Sequence, residues 1–548
     1  MAAFPNTPKL AIASGPSLTV WTLDREKKQF QPKNFSREAL FSLSEYAIQN
    51  ILSILNTTHL KGIRILHHMT KNSLEEIILR LAAFNSGYVP VTVNWQADNL
   101  QTSIYKAACT KCQAIFCDED VEDRDMEYLK NYFRKTKHVL RISEVLPSIL
   151  FQTSTISHPI FEKHWENHKN SKKEDSSEEI IVFTSGTTAL PKGVLLTFGN
   201  FNTTLKSFED AFDMKEGDDS NSSFLILIIT NPLHHVNSTA FCRWFLSRRN
   251  CALHLFEKYS SSYWKELCSI ITYYQHLNIF FKAIIPLVSK HIEFLYELVQ
   301  TASFFVESSS SSFHQLQEKV SPSNIIFALG SGPVGPSTIS KFQKLFDGKL
   351  PLIRFGSTES CLQICATPLH LTTQELYKIL KRGWEFSTAE GLQKGYYIGR
   401  PHQGITAMKI VKSTDKSHEK FMVECGIGET GYIICKGENM MQSYVNLDSW
   451  PFSMDGWYLG LGDIGYTLMG EEEGAPLEFF WLSRDSELLI KGGVNYSFLQ
   501  INEEMKRILF DFYGLASPQV DVAAIGKQCM FTLMHSSICK QNFYEKNE

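Results

Sequence analysis

The sequence predicts an α/β fold followed by a β-rich part, and three observations carry that prediction. Between residues 60 and 120, short apolar runs alternate with stretches of helical period. The same alternation resumes at about residue 180 and continues past 350. From Tyr396 onward it gives way to short strand-like segments separated by glycine turns. Strand–helix–strand alternation is the pattern of a parallel sheet covered by its crossover helices.

The first sixty residues supply an entry segment and a helix over about 36–55. Residues 63–67 read as a strand. Asn72-Ser73 then caps a helix to about Asn85, with Leu74, Ile77, Ile78 and Leu81 on one face. A strand starts at 87–91, a helix spans 100–109, and a further strand spans 114–117. Residues 166–179 are strongly polar and read as a solvated linker. A buried strand at 180–183, a second apolar run at 194–196, a helix from Asn200 to Phe212 and a strand at 224–230 follow. Residues 325–329 form a strand and 337–346 a helix; Ser308 to Ser312, after Glu307, form a low-complexity loop. Segments 407–411, 431–435 and 456–458 are the short strands of the β-rich part.

At 548 residues the chain exceeds one ordinary core, so at least two domains are expected. A net charge of −4 gives no global attraction for nucleic acid or an acidic membrane surface. The twelve cysteines are scattered, several inside apolar runs (Cys242, Cys435, Cys529), as suits reduced thiols. The apolar run 224–229 is far shorter than the ~20 residues a membrane-spanning helix needs. The first residues hold no apolar run of signal-peptide length, and the last four are not a peroxisomal address. A cytoplasmic protein with no membrane span and no nucleic-acid partner is expected.

The most informative stretch is Thr184-Ser185-Gly186-Thr187-Thr188-Ala189-Leu190-Pro191-Lys192-Gly193. It follows a strand with four hydroxyls around one glycine, then a lysine. Small residues let backbone N–H groups approach an anion, hydroxyls add donors, and lysine adds charge, which together suit a polyphosphate. The stretch is not the GxxxxGK[ST] loop, because Gly193 follows the lysine and no glycine precedes it.

Four further clusters stand out. Gly330-Ser331-Gly332-Pro333-Val334-Gly335 matches GxGxxG, yet the next strand, Leu352-Ile353-Arg354-Phe355, ends without the acidic residue a dinucleotide site needs, so a glycine-rich pocket wall is expected. Phe355-Gly356-Ser357-Thr358-Glu359 combines a ring for a base with a hydroxyl and a carboxylate for phosphate and Mg²⁺. Gly462-Asp463 places one acceptor in a glycine-rich turn, as ribose hydroxyls require. Arg484 and Lys491 put two cations around a short strand. Cys109-x-x-Cys112 lacks a second pair at zinc spacing, and His67-His68 reads as structural. His234-His235 at a strand end read as pocket lining.

In this order the motifs resemble the adenylate-forming superfamily of acyl-CoA synthetases, 4-coumarate–CoA ligases, luciferases and peptide-synthetase adenylation domains. The resemblance covers about residues 60–505 and includes Asn85-Ser86-Gly87-Tyr88-Val89-Pro90-Val91. It implies a large N-terminal domain, 1–484, of two αβ layers and a distorted β-barrel. A small α+β C-terminal domain, 485–548, would be hinged just after Arg484. It also implies a reaction in which ATP activates a small carboxylic acid as acyl-AMP and coenzyme A then displaces AMP. Thr184, Ser185, Gly186, Thr187, Thr188 and Lys192 would hold the β- and γ-phosphates. Phe355, with Gly356 and Ser357, would cover adenine. Thr358 would reach phosphate and Glu359 would carry Mg²⁺. Asp463 and Arg484 would take the ribose hydroxyls. His235 and the Gly330, Ser331 and Gly332 backbone would line the acyl pocket.

The sequence departs from the family pattern at several points. Ala189 and Phe198 stand where glycine and histidine are usual, the turn before Asp463 is one residue longer, and Ser486 replaces a hinge Asp or Lys. The C-terminal part reads as shortened, with strands expected at 520–525 and 530–534. The Pro-Lys-x-x-x-Gly-Lys segment whose lysine bridges the carboxylate and the α-phosphate finds no counterpart; Lys527 and Lys540 stand in other contexts. The alternative expectation is therefore a weakly catalytic relative that binds nucleotide or acyl-adenylate.

Overall fold

The structure, a computed structural model, describes residues 18–24, 26–134, 137–147, 166, 173–184, 190–214, 223–277, 279–300, 311–388, 391–445, 447, 450–470, 474–485, 488–491, 494–497, 501–502, 505, 508–509, 520–525 and 530–535. The chain forms two compact units. The first comprises 1–373, 401–407 and 436–451; the second comprises 374–400, 408–435 and 452–548.

The first unit contains two sheets. In one, strands lie in the order Cys365–Ala366, Leu352–Phe355, Ile325–Leu329, Phe281–Leu287, Phe224–Ile229, Cys251–Phe256, Leu18–Asp24 and Gln29–Phe35. The six from Leu352–Phe355 to Leu18–Asp24 run parallel. Leu225 through Ile229 are fully buried, as expected for a parallel strand covered on both faces. Burying each such side chain contributes about 1.5–3 kcal/mol over leaving it exposed.

The other sheet runs Ser443–Tyr444, Lys192–Thr197, Glu178–Thr184, Val89–Thr92, Arg64–His68, Ala114–Cys117, His138–Arg141. Its helix Leu74–Ser86 starts where the sequence places it: Ser73 Oγ accepts from Glu76 N at 3.2 Å. It ends at Gly87, whose φ of 81° suits glycine and whose N–H bonds Ala83 O at 2.8 Å. Helix Val236–Ser247, almost wholly buried, ties the two sheets together. Arg354 Nη2 donates to its Asn237 Oδ1 at 3.1 Å, and its Arg243 Nε donates to Glu179 Oε1 at 2.7 Å.

The second unit holds an antiparallel arrangement in the order Thr406–Val411, Gly431–Gly437, Asp463–Met469, Leu477–Arg484, Tyr396–Pro401. Val411, Ile434 and Trp457 form a buried cluster there. The hairpin Val520–Ile525 with Met530–His535 matches the two strands expected near the C-terminus.

Four expectations need correction. Glu178 and Glu179 are not linker but the start of a strand, because Glu178 pairs with Arg64 and Glu179 with Arg243. Residues 456–458 form only isolated bridges, Cys435 to Tyr458 and Phe452 to Tyr458. Ser311 and Ser312 open the helix Ser311–Val320. The strands Leu18–Asp24 and Gln29–Phe35 fall in the segment read only as an entry. Among the described residues, no helix is long and apolar enough to cross a membrane.

Candidate functional site

The lysine of the hydroxyl-rich stretch sits on a hairpin. Strands Glu178–Thr184 and Lys192–Thr197 pair antiparallel with Thr184 opposite Lys192 and Phe183 opposite Gly193. Ser185, Gly186, Thr187 and Thr188 lie outside the described residues. Glycine at 193 is a packing necessity, since a Cβ there would meet Val445 Cγ2 at 2.6 Å. Beneath the hairpin, the Lys106 ammonium lies 4.7 Å from the Phe183 ring centroid and pairs with Asp98.

The other predicted clusters of this unit follow the carboxyl ends of parallel strands, where open α/β sheets bind ligands. His234 and His235 come after Phe224–Ile229, Gly330 to Gly332 after Ile325–Leu329, and Gly356 to Glu359 after Leu352–Phe355. Ser331 and Gly332 are exposed, and Ser331 takes φ 66°. Gly330 passes close to the neighbouring strand, so that a Cβ would lie 3.1 Å from Arg354 O. Phe355, Ser357, Thr358 and Glu359 are half-buried and Gly356 is exposed.

The loop holding Glu359 turns back through two residues of positive φ, Cys361 at 48° and Leu362 at 92°. Such backbone is costly for side-chain-bearing residues and persists only where the surroundings hold it. Here Thr204 Oγ1 donates to Cys361 O at 2.9 Å, and Asn439 Nδ2 donates to Ser360 O at 2.8 Å and to Gln363 O at 2.9 Å. Gln363 Nε2 donates to His402 Nε2 at 2.9 Å, so Nδ1 carries the proton and donates to Asp210 at 2.8 Å. Burial holds the His402 imidazole below its ordinary pKa, and Asp210 opposes that shift.

Lys192 and Glu359 are brought to one side chain, Tyr444, which the sequence reading missed. The Tyr444 hydroxyl donates to Glu359 Oε1 at 2.8 Å, and Lys192 Nζ lies 5.5 Å from the centroid of its ring. Tyr444 pairs with Val194 in the strand that carries Lys192, and Met441 N donates to Glu359 O at 2.6 Å. No motif marks Tyr444; its role arises only when residues 85 apart are folded together. Among the described residues, no group of three or more His, Cys, Asp or Glu could hold a metal. The single Glu359 carboxylate still fits Mg²⁺, which takes one or two carboxylates and completes its shell with phosphate oxygens and water.

The two neighbouring histidines differ. His234 is 6% exposed, and neither ring nitrogen finds a hydrogen-bond partner among the described residues. Its ring meets Trp95 edge-on at 5.4 Å, and burial, aided by His235, pushes its pKa down to about 2. His235 is exposed at the N-cap of helix Val236–Ser247. Next to His234, a small cavity is lined by His67, Lys71, Glu76, Thr92 and Trp95. His67 is structural, as expected: its Nδ1 bonds Glu76 Oε2 at 2.9 Å, and Glu76 Oε1 accepts from Arg80 Nε at 2.6 Å.

In the second unit, Asp463 and Arg484 are strand partners, with Arg484 Nε 3.4 Å from Asp463 Oδ1. Asp463 is 5% exposed, and its Oδ1 also accepts from Trp481 Nε1 at 2.9 Å. Lys491 ends the strand Leu488–Lys491. Cys109 and Cys112 are free thiols.

A profile of the family described as "AMP-binding enzyme" matches residues 62–445. The chain belongs to that family. This confirms the superfamily that the motifs resemble. Curated relatives include the 2-succinylbenzoate–CoA ligase of Bacillus pumilus, 27% identical over 318 residues, covering 58% of this chain and 50% of the relative. The enzyme of the same name from Enterococcus faecalis is 24% identical over 355 residues, covering 64% of this chain and 58% of the relative. The chain thus spans about half the length of the first of these family members. Among solved structures, O-succinylbenzoate coenzyme A synthetase (MenE) from Bacillus subtilis in complex with AMP aligns with TM-score 0.63 at 18% identity, covering 98% of this chain and 90% of that one. ATP-bound MatB from Rhodopseudomonas palustris aligns with TM-score 0.65 at 16% identity, covering 95% and 86%. These likenesses establish the family fold.

Proposed function

We propose that the protein uses ATP to activate a small carboxylic acid as acyl-AMP and then transfers the acyl group to coenzyme A. The observation that carries this reading is the meeting of Lys192 and Glu359 at Tyr444, one residue from each of two predicted phosphate-binding motifs. The names of the curated relatives, both acid–CoA ligases, support it.

In this reading a carboxylate oxygen attacks the α-phosphorus, the bond to the bridging oxygen breaks, and pyrophosphate leaves. The coenzyme A thiol then attacks the acyl carbonyl and AMP leaves. Lys192, with Thr184 to Thr188, neutralises charge on the departing phosphates; fixed donors and charges there lower the barrier without reorganising. Bound Mg²⁺ would supply further charge neutralisation, and Glu359 would be the side chain that holds it. Thr358 donates to phosphate, Phe355 covers adenine beside Gly356 and Ser357, and Asp463 with Arg484 takes the ribose hydroxyls. His235 and the Gly330–Gly332 backbone border the acyl group, and residues 485–548 form the hinge-linked second domain. A cytoplasmic location goes with this reading.

The second reading is nucleotide binding with little turnover. ATP–pyrophosphate exchange across a panel of carboxylates, 2-succinylbenzoate included, separates the two. Rapid exchange supports adenylation. No exchange with retained ATP affinity overturns it in favour of binding alone.

A further inference from the structure

The predicted motifs leave Tyr444 without a task, yet its hydroxyl bonds Glu359 and its ring faces Lys192, the two charged residues of the candidate phosphate site. It is 7% exposed, and its backbone is fixed by pairing with Val194. Its hydroxyl binds one oxygen of Glu359, while the Glu359 carbonyl is held by Met441 N. Its ring lies beside the Lys192 ammonium. Among the described residues, Lys192 and Glu359 form no ion pair with each other.

Lys192 and Glu359 carry opposite charges, and each meets Tyr444. A tyrosine between them meets each by a different interaction. The hydroxyl donates to Oε1 of the carboxylate and fixes its rotation, leaving Oε2 to face another partner. The ring face attracts the ammonium without neutralising it. We propose that Tyr444 is a positioning residue that orients Glu359 for Mg²⁺ and keeps Lys192 available for the phosphates. This rests on the ATP-site reading above. Hydrogen-bonded groups behind a metal ligand typically change metal affinity 10–100-fold when removed.

Two substitutions divide the side chain. Tyr444→Phe keeps the ring and loses the donor; Tyr444→Gln keeps a donor and loses the ring. The readout is equilibrium binding of a fluorescent N-methylanthraniloyl ATP, at saturating Mg²⁺ and in EDTA, with circular dichroism to check folding. Tyr444→Phe should reduce the Mg²⁺-dependent gain in affinity about tenfold or more and leave the EDTA affinity within about twofold. Tyr444→Gln should show the reverse, a weaker EDTA affinity with the Mg²⁺ gain largely kept. In a Glu359→Gln background, Tyr444→Phe should add nothing. Equal losses with and without Mg²⁺, no loss at all, or full additivity with Glu359→Gln would overturn the assignment. An unaltered chain that binds no Mg·ATP overturns the ATP-site reading and this proposal together. Normal binding with an inert Tyr444→Phe overturns this proposal alone.

Discussion

Gly356 faces Leu362 so closely that a Cβ on Gly356 would lie 1.7 Å from the Leu362 carbonyl oxygen. The contact is backbone against backbone, so no side chain can swing aside. It exists because the chain reverses through positive φ at Cys361 and Leu362, two and three residues past Glu359. The glycine inside Phe355-Gly356-Ser357-Thr358-Glu359 is therefore a steric requirement of the turn that aims the glutamate. Gly356→Ala should force that turn open and displace Glu359. The expected result is a loss of Mg·ATP affinity of at least tenfold, with a stability loss of about 1–3 kcal/mol, the usual size for overpacking. Titration with Mg·ATP and a urea melt measure the two effects.

Lys192→Ala and Glu359→Ala each remove one charge from the candidate phosphate site. Each should slow ATP–pyrophosphate exchange by about 10²–10³-fold, the usual effect of losing one transition-state charge stabiliser. Both side chains are only half-buried, so the fold should persist. Unchanged exchange in both variants would show that the site lies elsewhere.

A buried charge network supports the loop that carries His234. Glu76 joins His67 and Arg80, and Arg80 reaches Thr239 Oγ1 at 3.0 Å and Leu233 O at 2.8 Å. Burial alone would raise the Glu76 carboxyl, but the charges and hydrogen bonds of His67 and Arg80 hold it below its ordinary value. Glu76→Ala leaves Arg80 buried without its counter-charge, which costs about 3–5 kcal/mol. A urea midpoint lowered with an unchanged slope is the expected signature.

Stability should fall in mild acid. Burial pushes the pKa of His254 down to about 3 and that of His291 to about 4. Trp21 Nε1 donates to His254 Nδ1 at 3.3 Å, so Nε2 carries the proton and meets Tyr274 Oη at 3.0 Å, a neutral pairing. Once unfolded, both imidazoles take a proton near 6.5. Below that pH the unfolded chain binds more protons, so each histidine removes about 1.4 kcal/mol per pH unit until the folded group itself titrates. The loss from His291 runs from about pH 6.5 to about 4 and that from His254 to about 3. His254→Gln should flatten the stability-versus-pH curve below 6.5 by one such increment; an unaltered slope would refute the assignment.

Local signals made much of this fold legible. Leu100–Cys109, Ala114–Cys117 and Ile325–Leu329 fall where period and turn residues put them, and Ser73 caps its helix as its side chain suggests. What escaped the sequence depends on partners far along the chain. Glu179 looked like linker because its charge was visible and its neutralising Arg243, 64 residues on, was not. Tyr444 carried no signal because its contacts require a strand pairing with Val194. Adjacent in sequence, His234 and His235 gave one reading, but the start of a helix sends one ring inward and leaves the other exposed.

The pairing of Thr184 with Lys192 fixes more than the base of a hairpin. Side chains alternate between the two faces of a strand, so a slip of one residue would carry Lys192 to the opposite face and put Gly193 in its place. A single inserted or deleted residue within Lys192–Thr197 would leave the composition of the hydroxyl-rich stretch untouched and deprive it of its positive charge. In this segment, the spacing of side chains is constrained as firmly as the identity of Lys192 and Gly193.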